Sequence, residues 1–266
     1  MGIKMRHAPV YFTIVQARFS PILALDSYAP QIQEKLRKEG YPDARKGALA
    51  TINLNLASPT EASAPQVPVT QTSRYMLLNM EQTEAFILDQ GALSFQTTEY
   101  DVFETFSVKF LTALRAVDEA VDLSYTDRIG IRYLDAVFPK SGEMLQDYIS
   151  SSMLGLTQKL AGGLVHAFSE TQVKMDGVGV IARAIIQDGV VGYPPDLQPV
   201  TLKLADRFEQ LRGLHAILDI DGSAELREVF NLDRVHERLL AIHDEIDNAF
   251  RASVTENALK RWEYDL

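Results

Sequence analysis

The sequence predicts an α+β protein in which an antiparallel sheet carries helices on one face. Strand-like segments at 74–80, 84–89 and 92–100 follow one another too closely for parallel crossovers, so they must form antiparallel hairpins. Two longer segments, 103–121 and one that starts near 232, repeat apolar residues at steps of three and four, which is the period of an amphipathic helix. Helix faces of this kind need a sheet to cover.

The first half of the chain begins with a predicted strand at 9–19, which is rich in β-branched and aromatic residues. A helix with Asp26 as its N-cap follows and ends at Gly40. A second strand at 48–56 alternates apolar and polar residues. The Ala/Ser/Pro/Thr/Gln-rich stretch 57–73 then predicts a mobile loop, because it cannot bury enough apolar surface to become ordered.

The three hairpin strands complete this half, together with a covering helix whose capping box is Asp101 and Glu104. The second half repeats the order loosely. It is predicted to contain a strand at 128–138, a helix at 143–154, a hairpin of 164–175 and 178–187 that turns at Asp176-Gly177, a loop at 188–199, a helix at 201–212, a strand at 214–221 and a long helix from 232 that is interrupted near Ser253 and ends near Trp262.

This repeated order predicts two structurally similar α+β halves, 1–127 and 128–266, packed as one domain. A continuous sheet with helices on one face, as in TATA-binding-protein-like pseudo-duplications, satisfies it. Sequence identity between the halves is negligible, so the duplication is inferred from element order alone.

Composition excludes several classes of function. The chain has 266 residues with 26 Lys+Arg against 36 Asp+Glu, and the net charge of −10 disfavours duplex nucleic acid as a partner. With no cysteine, it has no disulfide framework, thiol nucleophile or thiolate metal site. The apolar run from Val10 to Val15 is too short for a secretion signal, and no stretch approaches the length of a membrane span. We therefore expect a cytoplasmic protein that does not interact with membranes.

The segment Arg128–Tyr133 is the most distinctive local feature. Strand alternation places Arg128, Gly130 and Arg132 on one face and the apolar residues between them on the other. Two guanidinium groups that flank a missing side chain can hold a carboxylate or phosphate, so Arg128 and Arg132 are the predicted ligand-binding residues. The alternative is that both arginines pair with carboxylates of the protein surface.

No metal ligand, cofactor or catalytic residue is predicted. His236, His243 and Asp247 lie on one side of a helix, but seven residues of helix span about 10.5 Å, which is too far for both histidines to reach one ion. Asp219–Gly222 with Glu225 lacks the spacing of a calcium loop, and there is no Gly-x-Ser-x-Gly motif. The sequence does not exclude an active site assembled from distant carboxylates and histidines. It nevertheless favours a protein that is not an enzyme.

Three segments together resemble a sporadically distributed family of uncharacterised prokaryotic proteins of about 250 residues. They are Ala8–Val10 with the strand that ends Ala17–Phe19, the block Arg128–Tyr133, and the C-terminal pattern Phe250, Val254–Glu256, Leu259 and Trp262. The chain departs from that family at Thr13 and Gln16, where an acidic residue is usual in the first strand. The patchy distribution implies horizontal transfer, as for toxin-neutralising and phage-defence genes.

Two functions are therefore expected as alternatives. The first is a non-catalytic binding or interaction protein, a neutralising or sensing component of a prokaryotic defence or toxin system, with a protein partner encoded nearby. The second is an enzyme or binder of a small anionic metabolite or nucleotide that uses Arg128 and Arg132. A homodimer is compatible with either, and single-stranded nucleic acid ranks last because the strands offer few lysines.

Overall fold

The structure, a computed structural model, describes residues 5–52 and 69–263. In this part of the chain nine strands and six helices form an α+β fold. The strands are β1 (Val10–Phe19), β2 (Asp43–Ile52), β3 (Val69–Leu78), β4 (Glu84–Asp89), β5 (Ala92–Thr97), β6 (Tyr125–Val137), β7 (His166–Met175), β8 (Val178–Val190) and β9 (Arg212–Val229). The helices are α1 (Leu25–Lys38), α2 (Phe103–Val121), α3 (Ser151–Leu154), α4 (Asp206–Glu209), α5 (Leu232–Ser253) and α6 (Glu256–Glu263).

All nine strands belong to one open antiparallel sheet with the order β2-β3-β4-β5-β1-β6-β9-β8-β7. This confirms the predicted α+β class and antiparallel sheet. The central strands β1 and β6 each start a similar path. From each of them the chain crosses to an outer edge of the sheet, returns strand by strand to the centre, and continues into a long helix.

One face of the sheet, called here the helix face, is covered by α1, α2 and α5. The apolar period predicted for α2 and α5 is the one that is buried: Phe106, Phe110 and Leu114 of α2 and Leu239 and Ile242 of α5 lie in the main core. A second cluster at the end of α5 packs Val254, Ala258 and Trp262 against apolar residues of β8 and of the first half of β9. None of the described helices is long and apolar enough to cross a membrane.

Helix α5 lies unusually close to the sheet at Gly222 of β9. A Cβ atom at this position would be 2.8 Å from Ile242 Cγ2 and 2.9 Å from Ile246 Cδ1. Such distances are shorter than carbon atoms tolerate, so a larger residue would require the Ile242 and Ile246 side chains, or the helix that carries them, to move. The missing side chain of Gly222 therefore allows α5 to pack close to β9.

The opposite face is called here the second face, and the segment 191–211 covers part of it. Tyr193, Leu202 and Phe208 of this segment pack on Phe12 and Leu134 of the sheet. The segment was predicted to be a loop followed by a helix at 201–212, but only Asp206–Glu209 is helical. Its apolar residues are spread along an extended path, so burying them over the sheet competes successfully with helix formation.

Other element boundaries also differ from the predictions. The second strand spans Asp43–Ile52, the predicted residues 53–56 lie outside the described residues, and so do 57–68 of the predicted loop. The remaining 69–73 are strand, because they pair with β2. The predicted helix at 143–154 consists of two short turns, at Leu145–Asp147 and in α3.

The residues predicted to cap α1 and α2, Asp26 and Asp101, are not the residues at the N-cap positions in the structure. Helix α1 is preceded by Ala24, and the Asp26 carboxylate accepts hydrogen bonds from Tyr75 Oη at 2.7 Å and Lys46 Nζ at 2.9 Å, both on neighbouring strands. Helix α2 is preceded by Val102. The hairpin turn at Asp176-Gly177 is confirmed, with φ angles of 47° and 86° that suit the type I′ turn of such a dipeptide.

Candidate functional site

The two predicted ligand-binding arginines lie on the second face of β6, as the strand alternation requires. Arg132 is mostly buried and is held by two carboxylates. Its Nε and Nη2 atoms donate to both oxygens of Asp219 at 2.6 and 2.7 Å, and its Nη1 donates to Asp196 at 2.5 Å. The charge of Arg132 is therefore already compensated within the chain.

Arg128 is differently placed. Its guanidinium folds over Gly130, where a Cβ atom would lie 3.1 Å from Nη1, so the glycine provides the room for the arginine. Its ion pair with Glu225 is long, at 3.7 Å, and the Glu225 side chain is 75% exposed. Of the two predicted residues, Arg128 is the one that keeps most of its capacity to bind an anion.

A cavity of about 150 Å³ lies on the helix face between β6, α5 and the start of α2. We call it the Asp135 cavity, after the residue of β6 that lines it together with Tyr133. Aromatic side chains form much of its wall, contributed by Tyr100, Phe103 and Phe250. Its volume is close to that of an apolar protein cavity known to hold benzene.

Asp135 is the unusual residue of this cavity. Its side chain is only 6% exposed, and it makes no hydrogen bond or ion pair with any other described residue. Burial raises the pKa of Asp135 to about 7, and the negative charge of Asp219 on the adjacent strand adds to this effect. A buried carboxyl group without a partner is unfavourable for folding, which is a common property of functional sites.

Beside Asp135, a chain of polar groups crosses the cavity wall. Tyr133 Oη lies 3.3 Å from Tyr100 Oη and 3.3 Å from His243 Nδ1. The His243 ring stacks on Phe103 with 4.1 Å between the ring centroids and 5° between the ring planes. The stacking and the hydrogen bond fix the imidazole in one orientation relative to the cavity.

Burial changes the ionisation of these three groups in a consistent direction. It raises the pKa of Tyr133 and of Tyr100, so both phenols stay protonated. It also lowers the pKa of His243, although the carboxylates of Asp247 and Asp244 oppose this shift, so the imidazole is neutral at pH 7. Compared with these three groups, Asp135 has a pKa close to neutral pH, so its charge changes there.

The rim of the cavity is acidic. Asp101 and Glu104 lie at the start of α2, and Asp247 lies on α5. The basic lining residue, Arg251, is paired with Asp247 through Nε at 2.8 Å. Because Asp247 and Arg251 offset each other, Glu104 is the described rim carboxyl group that adds negative charge beside Asp135.

The three residues of α5 whose types can ligate a metal, His236, His243 and Asp247, lie in different surroundings. His243 and Asp247 line the Asp135 cavity, whereas His236 is exposed to solvent and does not line it. In the described ranges, no group of three His, Cys, Asp or Glu side chains is arranged to hold a metal ion.

Sequence reasoning missed Asp135, although a signal for it was present. The alternation that places Ile129, Ile131 and Tyr133 on the buried face of β6 continues to Asp135. A carboxyl group at a core position of a central strand breaks the apolar pattern without a visible structural reason.

Comparison of the chain with protein-family models, curated proteins and solved structures finds no significant match.

Proposed function

We propose that this protein binds a small molecule in the Asp135 cavity. The observation that carries the proposal is the unpartnered carboxyl group of Asp135, buried at the wall of a cavity lined by aromatic residues. Ligand sites in proteins are mostly apolar and contain a few polar groups that fix orientation, and this cavity has that composition.

The test is a ligand-observed NMR screen with fragments of about eight heavy atoms that carry positive, neutral or negative charge. A Val102→Trp variant serves as the blocked cavity, because Val102 lines it and its side chain makes no capping hydrogen bond. The matched control is Val229→Trp, at a residue that is 79% exposed at the end of β9.

We expect one or more fragments to bind the wild type and the Val229→Trp protein, and to lose binding in Val102→Trp. If no fragment of any charge shows binding that Val102→Trp removes, the cavity is not a ligand site and the proposal is wrong.

A protein-interaction role is the second candidate, and the edge strand β7 is the observation that favours it. Most of its ten residues are exposed, including Phe168 and Val173, and no described strand pairs with its outer side. An edge of this kind can accept a strand from another chain, including a second copy of this one. Co-expression with the product of a neighbouring gene, followed by size exclusion, tests this role, and failure to co-elute at micromolar concentration would count against it.

The finer predictions from the sequence stay proposals of the same kind. The similar paths that start at β1 and β6 support a duplication of two halves, 1–127 and 128–266. A cytoplasmic location and a role in a defence or toxin system rest on the sequence arguments alone. Anion binding by Arg128 and Arg132 also stays a prediction, although the pairing of Arg132 with Asp219 and Asp196 disfavours it.

A further inference from the structure

We infer that the Asp135 cavity selects a small organic cation, a protonated amine attached to a compact apolar or aromatic body. This inference rests on the proposed function, and it adds the chemical class of the ligand. It is argued from the position of Asp135, the charge around the cavity and the nature of its walls.

The first step concerns the missing partner of Asp135. An ionised carboxylate on a residue that is only 6% exposed needs a compensating charge or hydrogen-bond donors, and no described residue supplies them. A ligand ammonium group placed against this carboxylate would provide both the charge and up to three donors. An anionic ligand would instead add a second buried negative charge.

The second step concerns the charges at the rim. Among the described residues of the rim, Glu104 is acidic, and Asp247 and Arg251 form an ion pair in which the two charges offset each other. Field lines from such a rim favour the approach of cations over anions. The rim and the buried carboxyl group are on different elements, so they select the same sign of charge independently.

The third step concerns the walls. Tyr100, Tyr133, Phe103 and Phe250 line the cavity, and the faces and edges of such rings suit an apolar body. Aromatic faces also attract cations directly, which favours an ammonium group over a neutral hydroxyl group of similar size. A volume of about 150 Å³ accommodates roughly one small ring or a branched aliphatic group.

Charged and titratable groups face Asp135 from every surrounding element. They are Tyr133 on the same strand, Tyr100, Asp101 and Glu104 before and on α2, His243, Asp247 and Arg251 on α5, and Asp219 on β9 behind it. Burial raises the pKa of both phenols and lowers the pKa of the His243 imidazole, so these three groups are neutral near pH 7. Affinity for a cation should therefore rise as Asp135 ionises, with binding releasing a proton.

The experiment compares benzylamine, benzyl alcohol and benzoate, which share a ring and differ in charge. Isothermal titration at pH 8 should give a Kd for benzylamine at least tenfold lower than that for benzyl alcohol, with benzoate the weakest. The benzylamine Kd should fall by severalfold between pH 6 and pH 8, a range in which this amine stays protonated. Asp135→Asn should abolish the preference for benzylamine over benzyl alcohol and keep the binding of the alcohol.

The outcomes separate the two proposals. If benzyl alcohol binds as tightly as benzylamine, and Val102→Trp still removes its binding, the cavity is a ligand site but the inferred charge selection is wrong. If benzylamine binds equally well to Asp135→Asn, the carboxyl group is not the recognition element and the inference is overturned. If none of the three compounds binds in a manner that Val102→Trp abolishes, the proposed function fails as well.

Discussion

Asp135 and Asp219 are both buried carboxyl groups on adjacent strands of one sheet, but only Asp219 has charged partners among the described residues. Asp219 points to the second face. There, Arg132 donates hydrogen bonds to both of its carboxylate oxygens, and Arg183 Nη1 lies 3.4 Å from Oδ2. Asp135 points to the helix face, where it lines a cavity and has no partner among the described residues. One carboxylate completes a structural network, whereas the other leaves a charge to be compensated.

The contrast shows how burial alone fails to identify a functional group. Both residues are buried, with 6% exposure for Asp135 and 0% for Asp219, so low exposure is common to both. The difference lies in what the neighbouring elements supply, which is two guanidinium groups on one face and aromatic rings with neutral polar groups on the other. We therefore expect substitutions of the two residues to change stability in opposite directions.

The largest effect is expected for Asp219→Asn. The substitution leaves Arg132 buried with a weaker partner and removes the carboxylate shared with Arg183, so the free energy of unfolding should fall by about 3–5 kcal/mol. Urea unfolding followed by circular dichroism measures this change. A loss below about 1 kcal/mol would mean that the network is not structural, and the contrast with Asp135 would disappear.

The next largest effect has the opposite sign and is expected for Asp135→Asn. Because the pKa of Asp135 is raised from 3.8 to about 7 in the folded state, the unfolded chain loses this proton first as pH rises. The native state is thus disfavoured progressively from about pH 4 to pH 7, by up to roughly 4 kcal/mol above pH 7.

Asp135→Asn should remove that penalty, so the protein should gain about 2–4 kcal/mol of stability at pH 8 and almost none at pH 4. Thermal unfolding at the two pH values measures the gain, which should raise Tm by several degrees at pH 8 only. An equal shift at both pH values would show that the effect does not come from ionisation of Asp135.

A smaller effect tests the packing that shapes the helix face beside the cavity. Gly222→Ala should lower the free energy of unfolding by about 1–3 kcal/mol, because its methyl group would collide with Ile242 and Ile246 of α5. The matched control is Gly179→Ala on β8, where the closest atom to a new Cβ would be Ser223 O at 3.8 Å. If both alanine variants are equally stable, α5 can shift without loss and does not depend on Gly222.

The smallest effect sharpens the comparison between the two arginines. Arg128→Ala should change the free energy of unfolding by less than about 1 kcal/mol, because its pair with Glu225 is long and exposed. Titration of this variant with inorganic phosphate then tests anion binding on the second face. Arg128 is chosen because removal of Arg132 would also destabilise the fold. Phosphate affinity that is unchanged in Arg128→Ala would contradict the predicted role of this residue.

Local patterns predicted much of this fold correctly. The Asp176-Gly177 turn, the tight hairpins of β3 to β5 and the apolar period of α5 each depend on residues close together in sequence, so they could be identified there. The segment 201–212 was wrongly predicted as a helix, because its conformation follows from the sheet residues on which Phe208 and its neighbours pack.

The same division applies to the candidate site. Alternation along β6 determined that Arg128 and Arg132 share a face, and composition determined that the chain is acidic and has no thiol chemistry. Tertiary structure alone decided which charges meet. It paired Arg132 with Asp219 of β9 and Asp196 of the covering segment, residues 87 and 64 positions away in sequence.

It also decided that Asp135 would face a cavity rather than a counter-charge. Periodicity specifies which side of a strand a residue occupies, since neighbouring side chains along the backbone alternate by fixed geometry. The free energy of a buried charge depends instead on the distances to groups that other elements bring near it, and those distances are set only when the chain has folded.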